Sequence, residues 1–223
     1  MTVERVDGLA IGTYDADDPL LEAVAADRRP RHRVYRPGGV QVVLGRGSRP
    51  ERELNMDVCR EDGVTVLRRH GGGCAVVLDP GNVVVSTVLP ATGFAGNKGH
   101  FARLTDWLIA GLDEAGIDGL RQRGISDLAL GERKIGGACI YRTRELLFYS
   151  VTLLVEPRVE LIERYLAHPP REPDYRRGRT HAAFVTSLAR AFPGAGGAAK
   201  LETVLGRVLT TPEGICDKVF DHT

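Results

Sequence analysis

Hydrophobic and polar positions along the chain follow two rhythms, one helical and one alternating or β-branched. Residues 19–29 (PLLEAVAADRR) carry apolar side chains at helical spacing and predict an early helix. VQVVLG (40–45) and VTVLRR (64–69) are β-branched runs bounded by glycine, which predicts strands. CAVVLDPGNVVVSTVL (74–89) reads as two strands folded back at Asp79-Pro80-Gly81-Asn82, a turn tetrapeptide. Residues 98–116 set Phe101, Leu104, Leu108 and Leu112 on one helical face, and Gly116 ends the pattern. SDLAL (126–130), KIGGACIYR (134–142) and LLFYSVTLLV (146–155) then predict strands joined by short hairpins. VELIERYLAH (159–168), RTHAAFVTSLARAF (179–192) and AKLETVLGRVLT (199–210) predict helices, the last two separated by PGAGG. Antiparallel groups of strands with helices between them imply an α+β fold, a largely antiparallel or mixed β-sheet flanked by helices, rather than a doubly wound sheet.

Composition narrows the function classes. The 223 residues suffice for one sizeable core. No apolar run approaches the roughly 20 residues of a membrane span, so a soluble protein with no membrane partner is expected. MTVERVDGLA (1–10) mixes charges and lacks an apolar signal region, which makes a cytoplasmic location the expectation. A net charge of +1 gives no long-range field for nucleic acid. REPDYRRGR (171–179) is locally basic, but no aromatic-rich strand accompanies it, so it is read as a solvated loop or acceptor-docking surface and nucleic acid as unlikely. Cys59, Cys74, Cys139 and Cys216 are too widely spaced for a metal knuckle and are expected to be reduced and mostly buried. The scattered histidines and Trp107 are read as structural or exposed, His70 alone lying near the candidate site.

Two stretches carry candidate chemistry. In RRHGGGCAVVLDPGN (68–82), glycines let a backbone approach a ligand and turn N–H groups toward it, and Arg68 or Arg69 can grip phosphate or carboxylate oxygens. The alternative is a glycine-rich connection with surface arginines. A P-loop ending in Gly-Lys-Ser/Thr is missing, a dinucleotide fingerprint does not fit a run that continues into strands, and no Gly-x-Ser-x-Gly elbow supports a serine hydrolase. In GISDLALGERKIGGACIYR (124–142), Lys134 opens a strand after a tight turn. Asp127 precedes it, and Gly136 and Gly137 have little other use inside a strand.

Together these stretches resemble the lipoate-protein ligase A family, within the wider group of biotin and lipoate ligases and octanoyltransferases. RRHGGGCAVVLDPGN is similar without gaps to the family's arginines, glycine run, Ala-Val and Asp-x-Gly-Asn. SDLALGERKIGGA and VVLGRGSRPERELN (42–55) resemble two further family segments in the family's order. The resemblance implies a biotin/lipoate ligase-like catalytic domain over residues 1–190 and a short C-terminal helical extension over 191–223 in place of the usual accessory domain. A small separate accessory-domain protein is a possible partner. It implies that lipoate is activated with ATP and Mg²⁺ to lipoyl-AMP, then passed to a lysine of a lipoyl-domain or H-protein-like acceptor. Lys134 and Asp127 are the catalytic residues it implies, Asp127 also as the Mg²⁺ ligand. Arg69, Gly72, Gly73, Cys74, Ala75, Val76, Val77, Asn82, Lys134, Gly137, Ala138 and Thr152 would bind nucleotide and acyl group, with Val76, Val77 and Val85 lining the acyl tunnel.

The chain departs from the family pattern at Cys74 (a glycine), Leu78 (a histidine), Ser126 (an asparagine) and at Tyr149 and Ser150 (paired histidines). An octanoyltransferase working through a cysteine without ATP, a biotin ligase and a non-catalytic acyl-adenylate-binding module remain the alternatives. Neither Cys74 nor Cys139 stands where a transferase cysteine is expected.

Overall fold

A computed structural model of the chain describes residues 3–91 and 97–211. In chain order the elements are β1 (Glu4–Val6), β2 (Leu9–Thr13), α1 (Asp18–Asp27), β3 (Arg31–Tyr35), β4 (Gln41–Leu44), α2 (Pro50–Glu53), α3 (Met56–Glu61), β5 (Thr65–Arg68), β6 (Val76–Leu78) and β7 (Asn82–Pro90). They continue with α4 (Asn97–Glu114), β8 (Leu120–Arg123), β9 (Asp127–Leu130), β10 (Arg133–Arg142), β11 (Leu146–Leu154), α5 (Val159–Tyr165), α6 (His181–Phe184), α7 (Leu188–Ala191) and α8 (Ala198–Val208). The α+β reading holds, with the strands divided between two sheets.

The smaller sheet has the order β1-β2-β5-β4-β6. Its middle is parallel, β5 lying between β2 and β4, and its edges β1 and β6 are antiparallel. The larger sheet, β3-β7-β11-β10-β9-β8, is antiparallel throughout. The hairpins β9–β10 and β10–β11 form as the sequence predicts.

The hairpin expected at 79–82 does not form. The turn closes, with Asn82 N–H donating to the Asp79 carbonyl at 2.9 Å. Its two strands then part: β6 pairs with β4, and β7 runs between β3 and β11. β7 is buried on both faces from Asn82 to Leu89, so it needs neighbours on both sides, which only the larger sheet provides. The turn is therefore the link between sheets.

The helix expected over 179–192 is broken into α6 and α7. Between them Thr186 N–H donates to the Lys134 carbonyl at 2.8 Å and Val185 bridges Lys134. The β-branched pair Val185-Thr186 favours that extended path, and Ser187 restarts the helix by accepting from Arg190 N–H at 3.2 Å.

The main core lies between one face of the larger sheet (Leu128, Ile135, Leu147, Val151, Leu153) and α4 and α8 (Leu104, Leu108, Leu112, Leu201, Leu205). A second core joins the smaller sheet (Ile11, Val42, Leu44, Val66, Val77) to Cys59 of α3 and Ile162 and Tyr165 of α5. Helix α1 covers one end of the other face of the larger sheet, packing Val24 on Val88 and Phe148. Trp107 serves packing: its indole N–H donates to the Thr210 carbonyl at 2.9 Å and its ring meets His32 edge-on. No helix among the described residues is long and apolar enough to cross a membrane.

Leu108 is fully buried at the centre of the α4 contact. Leu108→Ala should lower unfolding free energy by about 2–5 kcal/mol in urea denaturation, the usual cost of such a cavity.

Candidate active site

The glycine stretch forms a loop between β5 and β6, and its carbonyls are tied down one after another. The Gly71 carbonyl accepts from Arg46 N–H at 2.9 Å. The Gly72 and Cys74 carbonyls both accept from Arg69 Nη2, at 2.7 and 2.9 Å, and the Gly73 carbonyl accepts from Ser48 Oγ at 3.1 Å. A trans peptide points its N–H opposite its C=O. Fixing these carbonyls therefore turns the next N–H groups the other way. That of Ala75 is taken by the buried Glu53 carboxylate at 2.6 Å, while those of Gly72, Gly73 and Cys74 are engaged by none of these anchors. Consecutive N–H groups of this kind form a concavity suited to an anion.

Gly45, at the end of β4, makes the close approach possible, because a Cβ there would stand 1.9 Å from the Gly73 oxygen. Arg69 also donates to the Val43 carbonyl at 3.0 Å and its Nε is buried without a partner. Its guanidinium thus holds the loop from beneath. Arg68 pairs with Glu4 at 2.9 Å and bonds the Gly45 and Ser48 carbonyls.

Across from this loop, β9 and β10 bring Asp127 and Lys134 together. Lys134 Nζ lies 2.6 Å from Asp127 Oδ1, with side chains 28% and 11% exposed. Gly137, opposite Asp127 in the register, leaves the room: a Cβ there would lie 3.0 Å from the ammonium. Tyr175 closes the set by donating its hydroxyl to Asp127 Oδ2 at 2.9 Å. Burial, then the Asp127 charge, raises the Tyr175 phenol pKa.

Tyr175 belongs to the basic run 171–179, read as a solvated loop or acceptor-docking surface: Arg171, Glu172, Asp174, Arg177 and Gly178 are exposed, but its middle is not. Tyr175 and Arg176 are buried, and Arg176 lies over the Phe184 ring with its centre 5.0 Å away. The Arg171 carbonyl meets Cys74 Sγ at 3.9 Å. The aromatic Tyr175 and its neighbour pack on Phe184 and Asp127, and burial of those groups overrides the local excess of charge.

Which side chains share this face follows from the register. Gly137, Thr152, Val84 and Tyr35 stand in one row across β10, β11, β7 and β3, and Cys139, Ser150, Ser86 and Arg33 in the next row on the same face. Asn82 shares the face of Val84; its Oδ1 accepts from Asp79 N–H at 2.8 Å and its Nδ2 is buried without a partner. Val85 points the opposite way into the main core, and Val77 points into the second core, while Val76 is half-buried on β6. The Ala138 N–H is taken by the Ser126 carbonyl at 2.8 Å. The glycine loop roofs the second row, since a Cβ on Gly71 would meet Cys139 Sγ at 2.6 Å.

Polar groups collect over that second row. Tyr35 donates its hydroxyl to Asp17 Oδ2 at 3.1 Å and is itself 3.0 Å from the Tyr14 hydroxyl, while Ser86 donates to Ser150 Oγ at 2.9 Å. Asp17 is 6% exposed, and besides Tyr35 the Ser86 hydroxyl lies against its carboxylate. Burial raises its pKa, and it pushes that of the Tyr14 phenol up to about 12.

The thiols are not activated. Burial raises the pKa of Cys74 and Cys139, and that of Cys59 to about 11. Cys59, Cys74 and Cys139 are free, and Cys216 lies outside the described residues.

Two open depressions flank the outer side of the glycine loop. One of about 580 Å³ is lined by Arg46, His70, Gly72, Tyr141 and Arg142, and one of about 390 Å³ by Arg46, Arg68, Arg69 and His70 among others. Neither reaches Lys134.

Among the described residues no group of three or more His, Cys, Asp or Glu side chains could hold a metal. A Mg²⁺ ion would therefore rest on Asp127 alone and on ligand phosphates, a set that fits this cation's habit of taking one or two carboxylates plus phosphate.

The structure brings Asp127 and Lys134, singled out in the sequence, into contact; Gly45, Ser48 and Glu53 lay inside the 42–55 segment but were given no role, and Tyr175, Asp17 and Tyr35 were not singled out.

An α+β domain of the lipoate ligase type is the class that this fold and the comparisons with known proteins define. Residues 14–210 match the lipoyl protein ligase A/B catalytic domain, and the chain belongs to that family. It is 35% identical over 114 residues to "Putative lipoate-protein ligase A" of Aeropyrum pernix, a match spanning 51% of this chain and 42% of that relative. The chain thus spans under half the length of the curated relative it matches. A bi-partite lipoate protein ligase from Thermoplasma acidophilum, solved as part of a lipoylation system with its E2 lipoyl domain, superposes with a TM-score of 0.70 at 20% identity, covering 90% of this chain and 80% of that one. A lipoate-protein ligase A bound with ATP gives 0.68 at 21% identity, covering 84% and 75%. At such identities the likeness is one of fold.

Gly45→Ala should push the loop off β4. Folding should persist by circular dichroism while affinity for an adenylate falls at least about tenfold in calorimetry, more than 1.4 kcal/mol. Asp17 gives a second prediction. Its folded pKa is raised, so its ionised form opposes folding: stability is greatest below the unfolded value of about 3.9 and falls as pH rises through the folded value. Asp17→Asn should therefore be more stable than the parent in urea at pH 7, and the gap should close toward about pH 4.

Proposed function

We propose that the chain is an ATP-dependent lipoate-protein ligase that forms lipoyl-AMP and transfers the lipoyl group to an acceptor lysine. What supports this is a glycine loop whose carbonyls at Gly71–Cys74 are tied down, leaving N–H groups for an anion, together with the Lys134–Asp127 pair and thiols that are not activated.

The lipoate carboxylate attacks the α-phosphorus of ATP, the P–O bond to pyrophosphate breaks, and the mixed anhydride remains. Lys134 leaves Asp127 to balance charge on the carboxylate and α-phosphate. The N–H groups of Gly72, Gly73 and Cys74 hold phosphoryl oxygens, which costs no reorganisation because their carbonyls are already tethered. Bound Mg²⁺, held by Asp127, would supply charge neutralisation on the polyphosphate. In the second step the acceptor amine attacks the acyl carbonyl and AMP departs, with Lys134 placed beside the oxyanion. Asn82 Nδ2 and Thr152 line the same face for polar contacts to the ligand.

The acceptor in this reading is a lipoyl domain, or an H-protein-like carrier, and a small accessory-domain protein completes the enzyme. The bi-partite Thermoplasma acidophilum ligase and its lipoyl domain support both parts of that proposal. A cytoplasmic location accords with the ATP requirement.

The test is pyrophosphate release with ATP and lipoate, with and without an accessory-domain protein. Release should fall at least about a hundredfold in Lys134→Ala, whereas Cys74→Ser and Cys139→Ser should retain the parent rate within about twofold. ATP-independent transfer from an octanoyl carrier protein, lost in a cysteine variant, would overturn the reading in favour of a transferase.

A further inference from the structure

A second substrate has to reach Lys134. The acceptor amine arrives on a lysine side chain, so the protein surface around that lysine must rest on whatever borders Asp127 and Lys134. Two segments border Asp127 directly: residues 171–179, through the Tyr175 hydroxyl on its Oδ2 at 2.9 Å, and the turn 124–126 between β8 and β9, whose last residue precedes it in the chain.

That turn displays Ile125, which is 80% exposed; the other exposed large apolar side chain among the described residues is Val3, near the N-terminus. A single exposed apolar residue means little by itself. This one is held out by a turn that is fixed in place. Gln122 Nε2 donates to the Ile125 carbonyl at 2.6 Å, and the Ala138 N–H donates to the Ser126 carbonyl at 2.8 Å. Gly124 takes a left-handed φ of 59°, and a Cβ on it would lie 3.3 Å from Pro173 Cβ, so the turn and segment 171–179 pack as one surface. Turn tips ordinarily carry Gly, Asn, Asp or Ser, which stay solvated without cost, so a pinned isoleucine is out of place there unless something covers it.

The charges nearby leave one sign over. Arg123, lying over the Tyr175 ring, takes Glu132 at 2.7 Å, and Glu172 is taken by His168 at 2.9 Å and by the Gly178 N–H at 2.8 Å. Arg121 projects from the same face of β8 as Arg123. Arg121, Arg171 and Arg177 are exposed and form no ion pair among the described residues, against Asp174 as the one acid of 171–179 likewise left over.

We propose that Ile125, with Arg121, Arg171 and Arg177, forms the docking surface for the acceptor. The partner it fits is a protein domain whose modified lysine stands beside a small apolar patch bordered by carboxylates. The isoleucine supplies area that leaves water on docking, and the arginines orient the encounter. Activation of the acid uses none of this surface. The assignment rests on the ligase reading for the acceptor's approach to Lys134.

The test measures lipoyl transfer to a lipoyl domain, transfer to hydroxylamine in its place, and acceptor-free pyrophosphate release, all with the full chain and an accessory-domain protein present. Ile125→Asp should raise KM for the lipoyl domain at least about tenfold, while hydroxamate formation and pyrophosphate release stay within about twofold of the parent. Ile125→Leu should keep the parent KM within about twofold. Arg171→Glu combined with Arg177→Glu should raise the same KM and flatten its dependence on salt. An unchanged KM in Ile125→Asp, or an equal loss with hydroxylamine, would overturn the surface. Should the parent release no pyrophosphate, calorimetric binding of the lipoyl domain decides. Binding that Ile125→Asp abolishes keeps the surface and removes the ligase chemistry, whereas no binding, or binding that this variant leaves intact, overturns the surface.

Discussion

Everything at the site depends on the tethering of consecutive carbonyls in the loop from Gly71 to Cys74. A flexible glycine run loses more conformational entropy on ordering than any other sequence, so left to itself it would offer its N–H groups to a ligand only at that cost. Here the cost is met during folding, by Arg46, Ser48 and Arg69. The parallel pairing of β4 with β5 explains why those anchors converge: Leu44 lies opposite Arg68, which sets Gly45 and Arg69 side by side at the strand ends. Glu53 completes the arrangement by taking the Ala75 N–H and the Ser48 hydroxyl. The smaller sheet is in effect a frame for one loop.

Much of this was legible from the letters. The RRHGGG and SDLALGERKIGG runs carried the loop, Asp127 and Lys134, because glycines inside strands have few purposes other than room for a ligand or a neighbouring chain. What the letters hid was which strand pairs with which. The DPGN turn reads identically whether it closes a hairpin or carries the chain from one sheet to another, and β7 went to the larger sheet because both of its faces are apolar. Strand β3, RHRVY, is an edge strand whose alternation is masked by its arginines, so Tyr35 carried no signal. Tyr175 sat in a run of charge that pattern reasoning assigns to solvent, although its ring and hydroxyl bury it against Phe184 and Asp127.

The opposite wall behaves as a closed electrostatic set. Lys134 and Tyr175 engage both oxygens of Asp127, so the carboxylate is compensated while the site holds nothing else. A ligand phosphate or carboxylate competes with Asp127 for the ammonium, and whatever draws Lys134 away leaves an Asp127 oxygen free for a cation. Binding of anion and cation at this wall is thereby coupled without movement of the sheet. The strap 171–180 joins that coupling, since it contacts the glycine loop through Arg171 and Asp127 through Tyr175.

Two buried acids on this side of the larger sheet differ in how they are held. At the Lys134 end every charged oxygen of Asp127 has a partner, which suits a step where charge is created and moved. At the Asp17 end the carboxylate accepts the Tyr35 hydroxyl and lies against the Ser86 hydroxyl, with burial as the largest influence on its charge. Buried polar groups left open inside a protein are costly, so buried networks persist where their members find partners. Asp127 is therefore held by an ammonium and a phenol at β9–β10, and Asp17 by hydroxyl groups beside β7, two acids compensated in different ways on one sheet.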